Sequence, residues 1–239
     1  MDILSFFDRN EYTKCITCGQ LMKTTDFFEV TGKTGICKAC NSHLPIVPVG
    51  TTFQEHRSYI EYCMAAFFYR APLRQTIIDF KFKSCISYAD IFSKYMYIYL
   101  SSVIDEDDSP ELIVPVPLSA ERMKERGYNQ AELLSRPLAE MLCIPHSTEC
   151  IKRIRNTKRQ SDLLPRHRGA NIENAFAAES TIAENKSILL IDDVYTTGST
   201  VRECAKTLVE AGARKVRVFT LARQPGMRKS KEYHDLLSQ

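Results

Sequence analysis

Apolar and polar positions fall into blocks along this chain, and the block from Ser187 to Gly212 organises the rest. Ile188, Leu189, Leu190 and Ile191 form a short unbroken apolar run, the pattern of a strand buried on both faces of a parallel sheet. The strand is expected to leave the core at Asp192 and Asp193, and Tyr195–Thr200 then reads as a small, hydroxyl-rich loop. Beyond it Val201, Cys204, Ala205, Leu208 and Val209 recur at helical spacing up to a stop at Gly212. Thr200 and Glu203 fit a capping box at the helix start. Arg214–Ala222 is the next strand, which completes a strand–helix–strand unit.

The same reading extends upstream. Tyr59–Tyr69 is apolar and aromatic, a strand or hairpin. Pro72 stands at the first turn of a helix that carries Leu73, Ile77, Ile78 and Phe80 on its buried side. Ile86–Ile104 is a second helix whose aromatic stripe belongs in the core, and Glu111–Val116 is another buried-type strand. The stretch Pro117–Gln130 reads either as a basic loop at that strand's end or as a charged helical turn with internal salt bridges. A helix over Ala131–Leu142 is expected to kink or restart at Pro137. Asn174–Ala178 is expected as a short strand beside Ile188–Ile191, and the tail past Pro225 as frayed.

The chemistry follows from the loop after Ile191. A chain entering a helix N-terminus aims unpaired N–H groups and partial positive charge at one spot, which suits phosphate. Gly198 admits a close backbone approach, and Thr196, Thr197, Ser199 and Thr200 offer hydroxyls. Asp192 and Asp193 can hold a hard cation or accept from ribose hydroxyls. Neither a GxxxxGK[ST] loop nor a GxGxxG fingerprint is present. Four apolar residues, two acids and TTGST resemble the phosphoribosyl-diphosphate (PRPP) signature of type I phosphoribosyltransferases.

Composition adds limits. The 239 residues suffice for one large domain or a domain with an appendage, and a net charge of +3 does not by itself imply a nucleic-acid partner. Lys152–Arg168, however, carries seven Lys/Arg against Asp162 alone, with little apolar periodicity, and reads as a long mobile loop. No apolar run reaches the roughly 18–20 residues of a membrane span. The opening MDILSFFDRN lacks the pattern of a secretory signal. The nine cysteines are therefore expected to be reduced, in metal or core roles.

Two CxxC pairs, Cys15–Cys18 and Cys37–Cys40, are eighteen residues apart. Two such knuckles supply the four sulfurs of a tetrahedral structural zinc. Residues 1–43 are thus expected to form a zinc module, 44–58 a Pro- and Gly-bearing linker, 59–225 the main domain and 226–239 a tail.

The zinc module, PVPLSAERMKERGYNQAELL, TKRQSDLLPRHRGANIENAF and IDDVYTTGST occur in the order found in the ComF family of competence proteins, which the chain resembles from Cys15 to about Arg223. The resemblance implies an α/β fold: a parallel-sheet type I phosphoribosyltransferase domain behind a four-cysteine zinc module. It implies PRPP bound with Mg²⁺, Asp192 and Asp193 contacting ribose and metal, Thr196–Thr200 the 5′-phosphate, and Pro117–Gln130, with Arg122 and Arg126, on the pyrophosphate side. It also implies single-stranded DNA and a ComFA-type ATP-driven translocase as partners. The expected location is cytoplasmic, with peripheral placement at the inner face of the membrane through partners. Arg153, Arg155, Arg159, Lys81 and Lys83 are the candidates for tracking DNA phosphates. Three functions stand side by side: a DNA-handling factor, an active transferase on an unknown acceptor, and a zinc-linked adaptor with a relic pocket.

Overall fold

The runs at 59–69, 111–116, 188–191 and 214–222 supply the four strands of one sheet. The computed structural model describes residues 12–31, 34–53, 59–104, 108–155 and 172–226. Counting elements along the chain, β5 (Cys63–Phe68), β6 (Leu112–Pro115), β9 (Ser187–Tyr195) and β10 (Lys215–Arg223) make a parallel sheet of order β5-β10-β9-β6. Ile188–Ile191 on the central β9 are fully buried, as the unbroken apolar run requires. The strand does not leave the core at Asp192: it stays paired with β10 as far as Tyr195. Both acids are therefore held in regular strand geometry.

Helices α2 (Leu73–Phe82), α3 (Tyr88–Ser101) and α5 (Gln130–Leu142) form one layer. In α3, Phe92, Tyr95, Met96 and Tyr99 are core residues, and Tyr99 stacks on Phe219 with ring centres 5.7 Å apart. Helix α5 runs through Pro137 without ending there. A four-residue helix α6 (Ser180–Ala183) precedes β9, and helix α7 (Ser199–Glu210) packs on β9 and β10. The expected Thr200–Glu203 capping box is not made. The Glu203 carboxylate instead accepts from the Asn174 amide at 2.7 Å.

The strand expected beside Ile188–Ile191 also lies elsewhere. β8 (Phe176–Ala178) pairs antiparallel with β7 (Ile151–Arg153) in a separate two-stranded ribbon. Both sides of β9 are already taken by β6 and β10, so no place remains there. Lys152 and Arg153 thus belong to a strand, while 156–171, including Arg159, lie outside the described residues.

The N-terminal module is a second sheet, order β2-β1-β4-β3, from β1 (Tyr12–Cys15), β2 (Leu21–Lys23), β3 (Phe27–Thr31) and β4 (Thr34–Cys37), followed by a short helix α1 (Lys38–Asn41). It docks on α3 through Lys94–Glu29 at 2.6 Å and a hydrogen bond from the Tyr95 hydroxyl to Asn41 at 2.6 Å. Of the segment expected as linker, residues 44–53 lie along the open edge of β5, where the Val47 amide donates to Ala66 and Phe53 pairs with Cys63, and 54–58 lie outside the described residues. Val47 and Phe53 are buried there.

At the opposite end from the strand carboxyl termini, Arg217 is buried, with only 1% of its side chain exposed. It donates to Glu61 at 2.8 Å and to Asp108, both of which remain partly hydrated. Removing an acid strands the buried cation, whereas removing the cation leaves acids that water can serve. Asp108→Ala is therefore expected to cost about 1–3 kcal/mol and Arg217→Met less, in urea unfolding.

Candidate functional site

The cavity that matters opens at the carboxyl ends of β6 and β9. Consecutive strand residues point to opposite faces. Asp193 meets α2, where Lys81 Nζ lies 2.9 Å from its carboxylate, and Asp192 faces Cys204 on α7. Burial, with Asp193 next door, pushes the Asp192 carboxyl up to about 7, against the pull of Lys81 and Arg122.

After Tyr195 the chain turns into α7 through Gly198, whose φ of +73° is a left-handed conformation that glycine adopts without cost. As the residue preceding the helix, Gly198 has no side chain to cap it, so the first amides of α7 face a small hollow lined by Thr196–Thr200 and Asp192. Thr197 and Ser199 hydroxyls sit 3.1 Å apart on its rim. Arrangements of this kind take phosphate oxygens.

Opposite stands the stretch read from sequence either as a basic loop or as a helical turn. It is a helix, α4 (Ala120–Arg126), capped by Ser119, whose hydroxyl accepts from the Arg122 amide at 3.3 Å. Gly127 ends it at φ +78°. Arg122 and Arg126 nonetheless face the cavity, so helical structure and an anion-facing role coexist. Arg126 donates to Gln130 at 2.7 Å and lies 4.8 Å above the Phe82 ring, but its buried Nε has no partner. Burial lowers the guanidinium pKa of Arg126 and likewise that of Arg153. Both guanidinium groups are partly desolvated, and an incoming polyanion offsets that cost.

Lys81, Arg122, Arg126 and Arg153 thus join Asp192, Asp193, Thr196 and Thr200 around one cavity of about 310 Å³. Of the five cations expected to track nucleic acid, Lys81 and Arg153 are in this cavity. Lys83 pairs with Asp79 at 3.0 Å on the outer end of α2, and Arg155 donates to the Glu173 carbonyl. Arg159 lies outside the described residues. The polar end of the Pro117–Gln130 stretch lies here too, with Asn129 and Gln130 both buried: Asn129 ties the start of α5 to Val116, and Gln130 bridges Arg126 to the Lys81 carbonyl at 3.4 Å.

The second candidate centre is the cysteine cluster. The sulfurs of Cys15, Cys18, Cys37 and Cys40 all lie within 4.8 Å of one another. Tetrahedral zinc with ~2.3 Å bonds sets its sulfurs ~3.8 Å apart, so a small contraction closes the shell. Burial would raise the Cys15 thiol, but amides of Cys18, Cys37 and Thr17 bring it down to about 7; burial and the neighbouring thiols hold Cys40 up. The cluster could hold a metal such as zinc.

Comparison with known proteins bears on both centres. Residues 127–239 match the family model described as phosphoribosyl transferase domain. Competence protein F of Haemophilus influenzae is 31% identical over 211 residues, 80% of this chain and 91% of that one. The chain belongs to the ComF family. Competence protein ComFC of Bacillus subtilis is 32% identical over 87% of this chain and 83% of its own length. DNA utilization protein YhgH of Escherichia coli K12 is 34% identical, over 81% and 86%. Among solved structures, the glutamine PRPP amidotransferase of B. subtilis overlaps 57% of this chain and 26% of its own, with 20% identity and a TM-score of 0.39. The ComF-family chain has a type I phosphoribosyltransferase fold with its parallel sheet. Among the described residues no helix is long and apolar enough to cross a membrane.

Proposed function

We propose that this ComF-family protein binds PRPP with Mg²⁺ in the β6/β9 cavity and, so loaded, handles single-stranded DNA during DNA uptake. One observation carries the reading: four cations, two carboxylates and an amide-lined hollow surround one space of about 310 Å³. PRPP presents a 5′-phosphate, a diol and a diphosphate, and each has a chemically matched wall. The hollow of Thr196–Thr200 takes the 5′-phosphate, Asp192 and Asp193 accept from the diol, and Arg122, Arg126, Arg153 and Lys81 face the diphosphate. The carboxylate oxygens also suit Mg²⁺, which supplies charge neutralisation on the diphosphate when bound. The cysteine cluster is a structural zinc site. The named DNA roles of the relatives, competence and DNA utilization, support the DNA part, and a ComFA-type translocase is the partner that family membership suggests.

Titration by calorimetry tests the ligand. PRPP with Mg²⁺ is expected to bind, and at a hundredfold excess over Kd to raise the thermal midpoint by about 5–10 °C. Arg153→Ala should weaken it. No heat and no shift with PRPP–Mg²⁺ would leave the relic-pocket reading in place.

A further inference from the structure

We propose that a small cavity beside the sugar-phosphate site is a nucleobase subsite, with Phe82 as its stacking platform. The cavity, of about 110 Å³, is lined by Lys81, Phe82, Ser84, Glu125, Arg126 and Tyr128. Lys81, Phe82 and Arg126 also line the larger cavity, so these three side chains form the wall between the two spaces.

Phe82 is the last residue of α2 and is 59% exposed, while Phe80 two residues earlier is fully buried. A single exposed phenylalanine is ordinary. This one is not isolated: Arg126 is stacked on it at 4.8 Å, and Gln130 fixes that guanidinium. The result is a rigid two-tier layer. Tyr128 is equally fixed, because its hydroxyl donates to the Phe80 carbonyl at 2.6 Å, so it walls the cavity instead of swinging free. Glu125 and Ser84 add oxygen acceptors at the rim.

Aromatic walls with a carboxylate and a hydroxyl at the edge match a planar heterocycle bearing N–H groups. A simple anion would gain nothing from Phe82 or Tyr128 and would be repelled by Glu125. A base of a single strand gains from both, and the exposed Lys83, next in the chain after Phe82, stands outside for its phosphate. The inference rests on the DNA reading proposed above and assigns to it the place where a base is held.

The test uses PRPP–Mg²⁺-loaded protein, the trinucleotide dT–2-aminopurine–dT and its counterpart with an abasic centre. Native protein is expected to quench the 2-aminopurine fluorescence on binding. Phe82→Ala should weaken that trinucleotide about tenfold, leave the abasic one unchanged and keep the native thermal midpoint, and Phe82→Tyr should restore binding. If native protein binds both and Phe82→Ala changes neither, or weakens both equally, the subsite is wrong while DNA handling stands. If native protein binds neither trinucleotide, the DNA reading itself falls and takes the subsite with it.

Discussion

Changing Asp192 to asparagine will weaken PRPP–Mg²⁺ binding about 30- to 100-fold and, at pH 8, stabilise the ligand-free protein by about 1 kcal/mol. Both effects come from one half-buried, poorly solvated charge. In the folded chain burial, then Asp193, raises this carboxyl to about 7, whereas in the unfolded chain it ionises near about 3.9. Between those values the folded state keeps a proton that the unfolded state has lost. Stability from this group therefore falls as pH rises from about 4 to 7, and the penalty is complete above. Asparagine escapes it, so its advantage grows over that interval. Asp193→Asn should also lose binding, but it should destabilise, because Lys81 loses its partner beside two arginines. Calorimetry with thermal unfolding at pH 5 and 8 separates the two variants. A destabilised Asp192→Asn at pH 8, or one that binds PRPP–Mg²⁺ normally, would sink the assignment of the acidic pair.

The largest effect on stability is expected at the other end of the chain. Cys37→Ser will remove the one zinc expected per molecule, make residues 12–43 sensitive to protease, and lower the thermal midpoint of the whole protein by about 5–10 °C. The small core of this module is Cys15, Phe27 and Cys37, with Met22 and Cys40 packed against it, so three of its five members are also proposed ligands. With so little apolar area to bury, the sheet depends on the metal. Its loss should free Lys94 and Tyr95 on α3 from Glu29 and Asn41, which carries the damage into the main domain. Metal analysis beside limited proteolysis decides the matter. A module that stays folded and protease-resistant without zinc would refute it.

Much of this architecture is local and therefore legible in the residues. A tetrad such as Ile188–Ile191 can only be buried on both faces, and a helix entered through Gly198 exposes its first amides wherever it is placed. The CxxC spacing likewise brings two sulfurs to each turn whatever surrounds them. The pairing of Phe176–Ala178 was not legible, because a three-residue strand carries no register information and the occupied edges of β9 excluded it. Nor was the fate of Glu203, whose carboxylate found the Asn174 amide in place of its own helix start.

The runs that became β6, β9 and β10, the acidic pair, the small-residue turn and the paired cysteines were readable in the residues alone, since each depends on neighbours within a few positions. It took packing across the molecule to bring Lys81 and Arg153, from two distant elements, to the cavity of Asp192 and Asp193. Lys81 lies 112 positions before Asp193 yet touches it at 2.9 Å. Such a meeting is set by how α2 and the β7/β8 ribbon pack about the sheet, and no periodicity along one segment records the direction in which another segment will point its charges.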